Sequence, residues 1–448
     1  MLFTTDKQTQ EDLNIYGKQG TDSILSLFNR TATVNGSKLL EDMFRYPLSD
    51  AESINARSEK ISYLKTMKVV FPFSSELFDQ AEQYLTNVDE RTKLPAEKPS
   101  LEKMLTSLVA SNADYKQIVN GISALIEIIQ LLNNLLNTVL LLSGSPFKND
   151  AETTGTQRLL STEPISSLLQ QGLKNKLPHE KLAVYDLTLR FRHRDTVQQL
   201  LRYIYQFDVY ITVAKVATER NYIFPKALSK EDHLINIEAF YHPQLKNAVA
   251  NTIHITPDSN VVFLTGANMA GKSTFMKSFG IAMYLAHMGF PVAAIAMEFS
   301  VLDGIYTTIN LPDNLGIGAS HFYAEVLRIK KIAKELSAGR NIFVIFDELF
   351  RGTNVKDAYE ATIAITSAFA KKRSSMFVIS THIIEAGDVL KQHSNISFKY
   401  LPTKMKGTTP VYTYTLESGI TDDRHGMIII NNEGILDMLK NRKEANTK

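Results

Sequence analysis

The chain has 448 residues, 44% hydrophobic and 21% charged, with a net charge of +2. That length exceeds one ordinary core and points to two or three domains, and the near-neutral charge excludes a global basic field, so any nucleic-acid surface must be a local patch. Cysteine is absent, which excludes disulfides, thiolate metal sites and cysteine nucleophiles and fits a reducing, cytoplasmic setting.

The first residues, MLFTTDKQTQEDLN, lack the basic flank, apolar core and cleavage site of a secretory signal. Residues 13–225 read as mostly helical, with Leu25, Phe28, Leu39, Leu40 and Met43 at helical spacing and Gly36 and Pro47 as punctuation. Residues 122–144, ISALIEIIQLLNNLLNTVLLLSG, approach a membrane span in length. Glu127, Gln130, Asn134 and Asn137 nevertheless recur every three or four residues, so the spacing predicts an amphipathic helix packed on other helices and no membrane segment. Residues 143–157 read as the main internal loop. Further on, Arg190, Arg192 and Arg194 form a basic cluster. Arg190 and Arg194, four apart, share a helix face, so the cluster is either a phosphate-contacting patch for DNA or a solvated face paired with Asp186 or Asp195. The helix that follows stops at Asn221, before Pro225.

Past Pro225 the texture changes. HLINIEAF, VVFLTG, NIFVIFDEL and SMFVIST are short, apolar and β-rich, and helical patterns separate them, which predicts a mainly parallel sheet covered on both faces. The expected architecture is therefore an all-helical domain, 1–228, followed by an α/β nucleotide-binding domain, 229–448, with the boundary near residues 226–232. Gly266, Gly271, Lys272 and Ser273 satisfy G-x-x-x-x-G-K-[ST] between a strand and a helix, as a loop cradling phosphate requires. In it, Gly266, Ala267, Asn268, Met269, Ala270, Gly271, Lys272, Ser273 and Thr274 are expected to surround nucleotide phosphates. Lys272 reaches the β/γ oxygens and the Ser273 hydroxyl ligates Mg²⁺. Asp347 and Glu348, ending an apolar strand, supply a carboxylate that holds Mg²⁺ beside Ser273 and a general base, respectively. His382, at the end of another strand, is placed to sense the γ-phosphate, whereas His242 and His254 read as structural.

These motifs together, TGANMAGKSTFM, FDELFRGTNVKDAYEAT and STHIIEAGD, resemble the MutS mismatch-repair ATPases. Asn268-Met269 and Arg351-Gly352-Thr353 are the distinctive pairings. The resemblance implies an ABC-like P-loop ATPase using ATP and Mg²⁺. GASHFYAEV, residues 318–326, is similar to the family's signature loop, in which Ser320 faces nucleotide bound by a partner subunit, implying a homodimer. Residues 26–64 and 207–225 look like the start and the returning helix of the family's helical core. By the same resemblance, DNA and other repair proteins are the implied partners. The mismatch-reading and connector domains, the β-rich clamp and a terminal nuclease domain have no counterpart here, with at most a reduced clamp in 143–180. Mismatch reading by this chain alone is therefore not expected. Ala248 falls where the family often has an aromatic against the adenine, which leaves base selectivity open. The competing reading is a nucleotide-switched interaction module with no DNA role.

Overall fold

The structure is a computed structural model that describes residues 3–17, 21–95, 110–172, 177–310, 321–350, 353–406, 409–421 and 434–440. The chain divides into two compact units. One comprises Phe28–Met43 and Glu59–Lys215, the other Met1–Leu27, Phe44–Ser58 and Val216–Lys448. The expected division, at residues 226–232, cuts the chain once. The observed one differs because two N-terminal segments pack with the C-terminal half: the Tyr284 hydroxyl donates to the Phe44 carbonyl (2.6 Å), and Arg57 donates to the carbonyl of Met288 (2.8 Å).

The helical elements are α1 (Lys7–Asp12), α2 (Ile24–Phe28), α3 (Val34–Arg45), α4 (Ala51–Thr66), α5 (Ser75–Thr86), α6 (Ala110–Leu141), α7 (Ala151–Ser161), α8 (Ile165–Leu169), α9 (His179–Asp186) and α10 (Arg194–Glu219). In the helical unit α6 is central. Ile122, Leu125, Ile129, Leu132, Leu136 and Val139 recur at helical spacing and are each at most 1% exposed, whereas Asn134 and Asn137 face outward. Gln130 donates to the carbonyls of Leu168 (2.9 Å) and Gln171 (2.8 Å), tying α6 to the end of α8. Among the described residues α6 is the one helix long and apolar enough to cross a membrane, and half of its most apolar stretch is buried inside the protein. At Gly121 a β-carbon would lie 2.2 Å from Cβ of Tyr84, so the glycine is what lets α5 approach α6.

Residues 143–157, expected to be a loop, hold the first half of α7. Asp150 caps it by accepting the Thr153 N–H (2.9 Å), and the carboxylate also pairs with Lys60 (2.5 Å). Between residues 143 and 180 the described residues form helices and turns, with no strand.

The second unit carries two sheets. The larger has the order β12 (Glu417–Ser418), β9 (Ile396–Leu401), β4 (Val261–Gly266), β8 (Met376–Ser380), β7 (Ile342–Phe346), β6 (Gly304–Thr308), and is parallel except for β12. The smaller has the order β1 (Lys226–Leu228), β5 (Ala296–Ser300), β2 (Ile235–Phe240), β3 (Asn251–Ile255), with β2 antiparallel to both neighbours. HLINIEAF, expected in the parallel sheet, therefore belongs to the other one. Its alternating burial, with Ile235 and Ile237 inside and Glu238 exposed, is the half-buried pattern of an antiparallel strand. A hairpin, β10 (Thr403–Lys406) and β11 (Thr409–Tyr412), follows β9.

Strands β4, β7 and β8 are buried along their whole length. On one face Phe346 and Phe377 stack on Phe369 of α13 (Val355–Ala370), and Ile329, Ile332 and Leu336 of α12 (His321–Ser337) join the same core. On the other, Phe343 meets Phe279 of α11 (Lys272–His287) at 4.6 Å between centroids. These two apolar layers fix the strands in register, so their C-terminal ends form one rigid edge.

Candidate functional site

Three strands that neighbour one another, β4, β8 and β7, end at this edge and deliver the residues singled out by sequence. After β4 the chain turns through Gly266, with φ 149°, Met269, with φ 69°, and Gly271, with φ 98°, before α11 begins at Lys272. Ala270 is fully buried, while Met269 is 75% exposed, so the loop is anchored from beneath and open above. Lys272 is only 6% exposed, and its ammonium donates to the carbonyls of Gly266 (2.8 Å) and Ala267 (3.2 Å). Burial pushes its pKa down, and the carboxylates of Asp347 and Glu348 oppose that shift.

The Ser273 hydroxyl donates to Oδ2 of Asp347 at 2.6 Å, which joins the first turn of α11 to the end of β7. Oδ1 of Asp347 is buried and has no hydrogen-bond partner. Burial raises the Asp347 pKa, with the bond from Ser273 pulling the other way. A buried carboxylate oxygen without a donor, beside a serine hydroxyl, is an all-oxygen pair suited to a hard divalent cation such as Mg²⁺.

Glu348 follows with φ 54° and Phe350 with φ 64°, both left-handed without being glycine. Side chains adopt that region at a cost, and it clusters at functional edges. Phe350 is held there by burial and by contact with Phe322 (5.9 Å). The turn lifts the Glu348 carboxylate toward β8, where Oε1 lies 2.7 Å from Nε2 of His382. His382 itself follows Thr381, whose buried hydroxyl accepts the Ile383 N–H at 3.0 Å.

The edge thus brings together Gly266 to Thr274, Asp347, Glu348 and His382. Ser320, Arg351 and Gly352 lie outside the described residues. The arginine cluster divides. Residues Leu187–Arg192 form a π-helical turn that carries Arg190 inward. Arg190 is 1% exposed and bonded to Asp186 (2.7 Å), which also accepts the Tyr84 hydroxyl (2.8 Å). A guanidinium sealed against its carboxylate cannot meet a phosphate, so Arg190 leaves the set of candidate DNA contacts; its partner is Asp186, as the alternative had it, but the pair is buried and not on a solvated face. Arg192 is exposed, and Arg194 is partly buried with a bond to the Leu85 carbonyl (3.4 Å).

Sequence reasoning missed Tyr414 and gave His242 no part in the site. Both line a cavity of about 300 Å³ with Phe240, Ala248, Gly271 and Phe275, beside the glycine loop. Tyr414 is fixed by its carbonyl, which accepts from Asn251 Nδ2 (3.0 Å), and its ring lies 2.9 Å from where a Gly271 β-carbon would sit. An aromatic wall is therefore present beside Ala248, supplied from a strand-exit 163 residues downstream of Asn251. Burial lowers the His242 pKa, helped by nearby Lys277, so the ring is a neutral lining group.

With that geometry in view, two family models match: MutS domain III over residues 8–218 and MutS domain V over residues 262–446. Curated relatives include the "DNA mismatch repair protein MutS" of Petrotoga mobilis, 28% identical over 65% of this chain and 38% of that protein. A second is the protein of the same description from Fusobacterium nucleatum, 26% identical over 56% of this chain and 28% of that protein. The chain thus matches less than two-fifths of the length of either relative.

Proposed function

Because the chain belongs to the MutS family, we propose that it binds ATP with Mg²⁺, hydrolyses it, and works in association with DNA in mismatch repair or recombination. The observation that carries this reading is the junction of Ser273 with Asp347 at 2.6 Å, beside the Glu348–His382 pair at 2.7 Å, on adjacent strand ends. Lys272 and the loop amides bind the β- and γ-phosphates. Ser273 and Asp347 hold Mg²⁺, which supplies charge neutralisation on the phosphate oxygens. Glu348 takes the proton of the attacking water, and His382, donating through Nε2–H, keeps that carboxylate aimed. The base of the nucleotide fits the cavity walled by Tyr414 and open at Ala248. A second copy is the proposed partner, since two-fold homodimers are the commonest assemblies, and Ser320 is proposed to meet the nucleotide bound by that partner.

The second reading, a nucleotide-switched module that binds protein and not DNA, draws on the burial of Arg190, which removes one cation from the only basic cluster singled out in the helical half. One experiment separates the two: ATP turnover by the full chain with Mg²⁺, alone and with matched, mismatched or branched DNA, across a salt titration. The expected outcome is basal turnover that DNA raises, with the stimulation falling as salt rises. No DNA effect at any salt favours the second reading, and no turnover under any condition overturns the ATPase.

A further inference from the structure

The short helix α1 contributes nothing to the loop or the catalytic pair, yet its side chains close on the strand end beside them. Asp12 is 2% exposed. Its Oδ2 accepts the Thr307 hydroxyl (2.8 Å) and the Ile309 N–H (2.8 Å), and its Oδ1 accepts the Asn310 N–H (2.9 Å) and Nε2 of Gln8 (3.0 Å). Thr9, fully buried, accepts the Thr307 N–H through its hydroxyl oxygen at 2.9 Å. Asp6 caps α1 by accepting the Thr9 N–H (3.0 Å) and pairs with Arg328 and Lys331 of α12. Arg328 then returns to the same strand end, donating to the Thr308 hydroxyl (3.0 Å) and the Thr307 carbonyl (2.7 Å).

Among the described residues β6 is the last strand of its sheet, so no further described strand holds its exit. The amides of Ile309 and Asn310 are held by one carboxylate instead, through charge-assisted bonds that are stronger than neutral ones. This exit also faces the nucleotide edge, because the Thr308 carbonyl accepts the N–H of Asp347 at 2.9 Å. A continuous polar path therefore runs from Asp12 through the Thr307–Asn310 turn to the backbone of Asp347.

We propose that Asp12 is a positioning residue for the nucleotide edge, fixing through the β6 exit the height at which Asp347 meets Ser273. The proposal rests on the ATPase reading above. Asp12→Asn in the full chain tests it, since the amide nearly keeps the shape but loses the charge and turns a donor toward donors. Two measurements are made: amide hydrogen exchange at Ile309, Asn310 and Asp347, and steady-state ATP turnover. Exchange at all three is expected to quicken about tenfold and kcat to fall about tenfold, with KM for ATP within about twofold of the parent. Amides of β4 should keep the parent rate. Unchanged exchange at Asp347 overturns the proposal, as does a parental kcat despite faster exchange. If Asp12→Asn loosens the whole unit, which faster exchange in β4 would reveal, Thr307→Val removes a single bond to Asp12 and must move Asp347 exchange and kcat in the same direction, or the proposal fails. If the parent itself turns over no ATP, the ATPase reading falls, and Asp347 exchange alone decides whether Asp12 holds that residue.

Discussion

At Glu348 the backbone takes a left-handed turn to reach His382, and the side chain at the end of that turn has no role in packing the sheet. Glu348→Ala should therefore leave ATP binding near the parent value while turnover falls about a hundredfold or more, as read from a bound fluorescent nucleotide and phosphate release. Lys272→Ala removes the buried ammonium and should instead weaken binding itself by at least about tenfold. A second residue-scale expectation concerns pH. His287 is fully buried, flanked by the tilted rings of Phe3 and Phe299, with Nε2 accepting the Leu302 N–H (3.0 Å), and burial lowers its pKa from 6.5 to about 4. The unfolded chain protonates this ring below pH 6.5 while the folded chain does not, so stability is intact above that pH and falls as the pH drops toward 4. Between pH 7.5 and 5 the loss should be about 2 kcal/mol in urea melts, and His287→Gln should flatten that slope. The glycine loop between β4 and α11 was legible in the sequence because its motif is a fixed local spacing at a strand-to-helix junction. Tyr414 was not, since its place beside Gly271 depends on a bond from Asn251 far upstream. Arg190 stood open between a DNA contact and a pair with Asp186; the i,i+4 spacing showed the pair, but not that it would be buried beside a π-helical turn.

Among the elements, the contact of α5 with α6 is the most exacting. The Tyr84 Cβ lies against Gly121, and the Tyr84 hydroxyl is committed to Asp186. Adding a methyl at position 121 would force the helices apart, so Gly121→Ala is expected to cost about 1–3 kcal/mol even though alanine favours a helix, measured as a lower denaturation midpoint of the helical unit. The amphipathic reading of α6 rested on four polar residues, and the packing of Gln130 onto α8 accounts for one of them directly. The loop expected at 143–157 failed at a signal that was present: Asp150 followed by Thr153 is a helix cap, outweighed in the reading by glycine, serine and proline nearby. The strand HLINIEAF was recognised as a strand and assigned to the wrong sheet. Alternation tells which face is buried but does not name the neighbour against which it is buried.

Across the whole molecule, the change from helical to β-rich texture near Pro225 marked where the sheets begin, and composition can carry that much. It cannot show that a segment from the far end of the chain returns. Thr4 forms a parallel bridge with Gly304 and donates its N–H to the Asp303 carbonyl at 2.9 Å, a span of 299 residues. Such a pairing leaves no local periodicity to read. It does impose an order of events. Thr4 and its neighbours meet their strand only after some three hundred further residues have been made. Until then the edge amides they will cover do not exist, and α1 has nothing to grip. The edge that Thr4 and α1 cover is therefore closed only once β6 has been made, like a latch thrown after the door is hung.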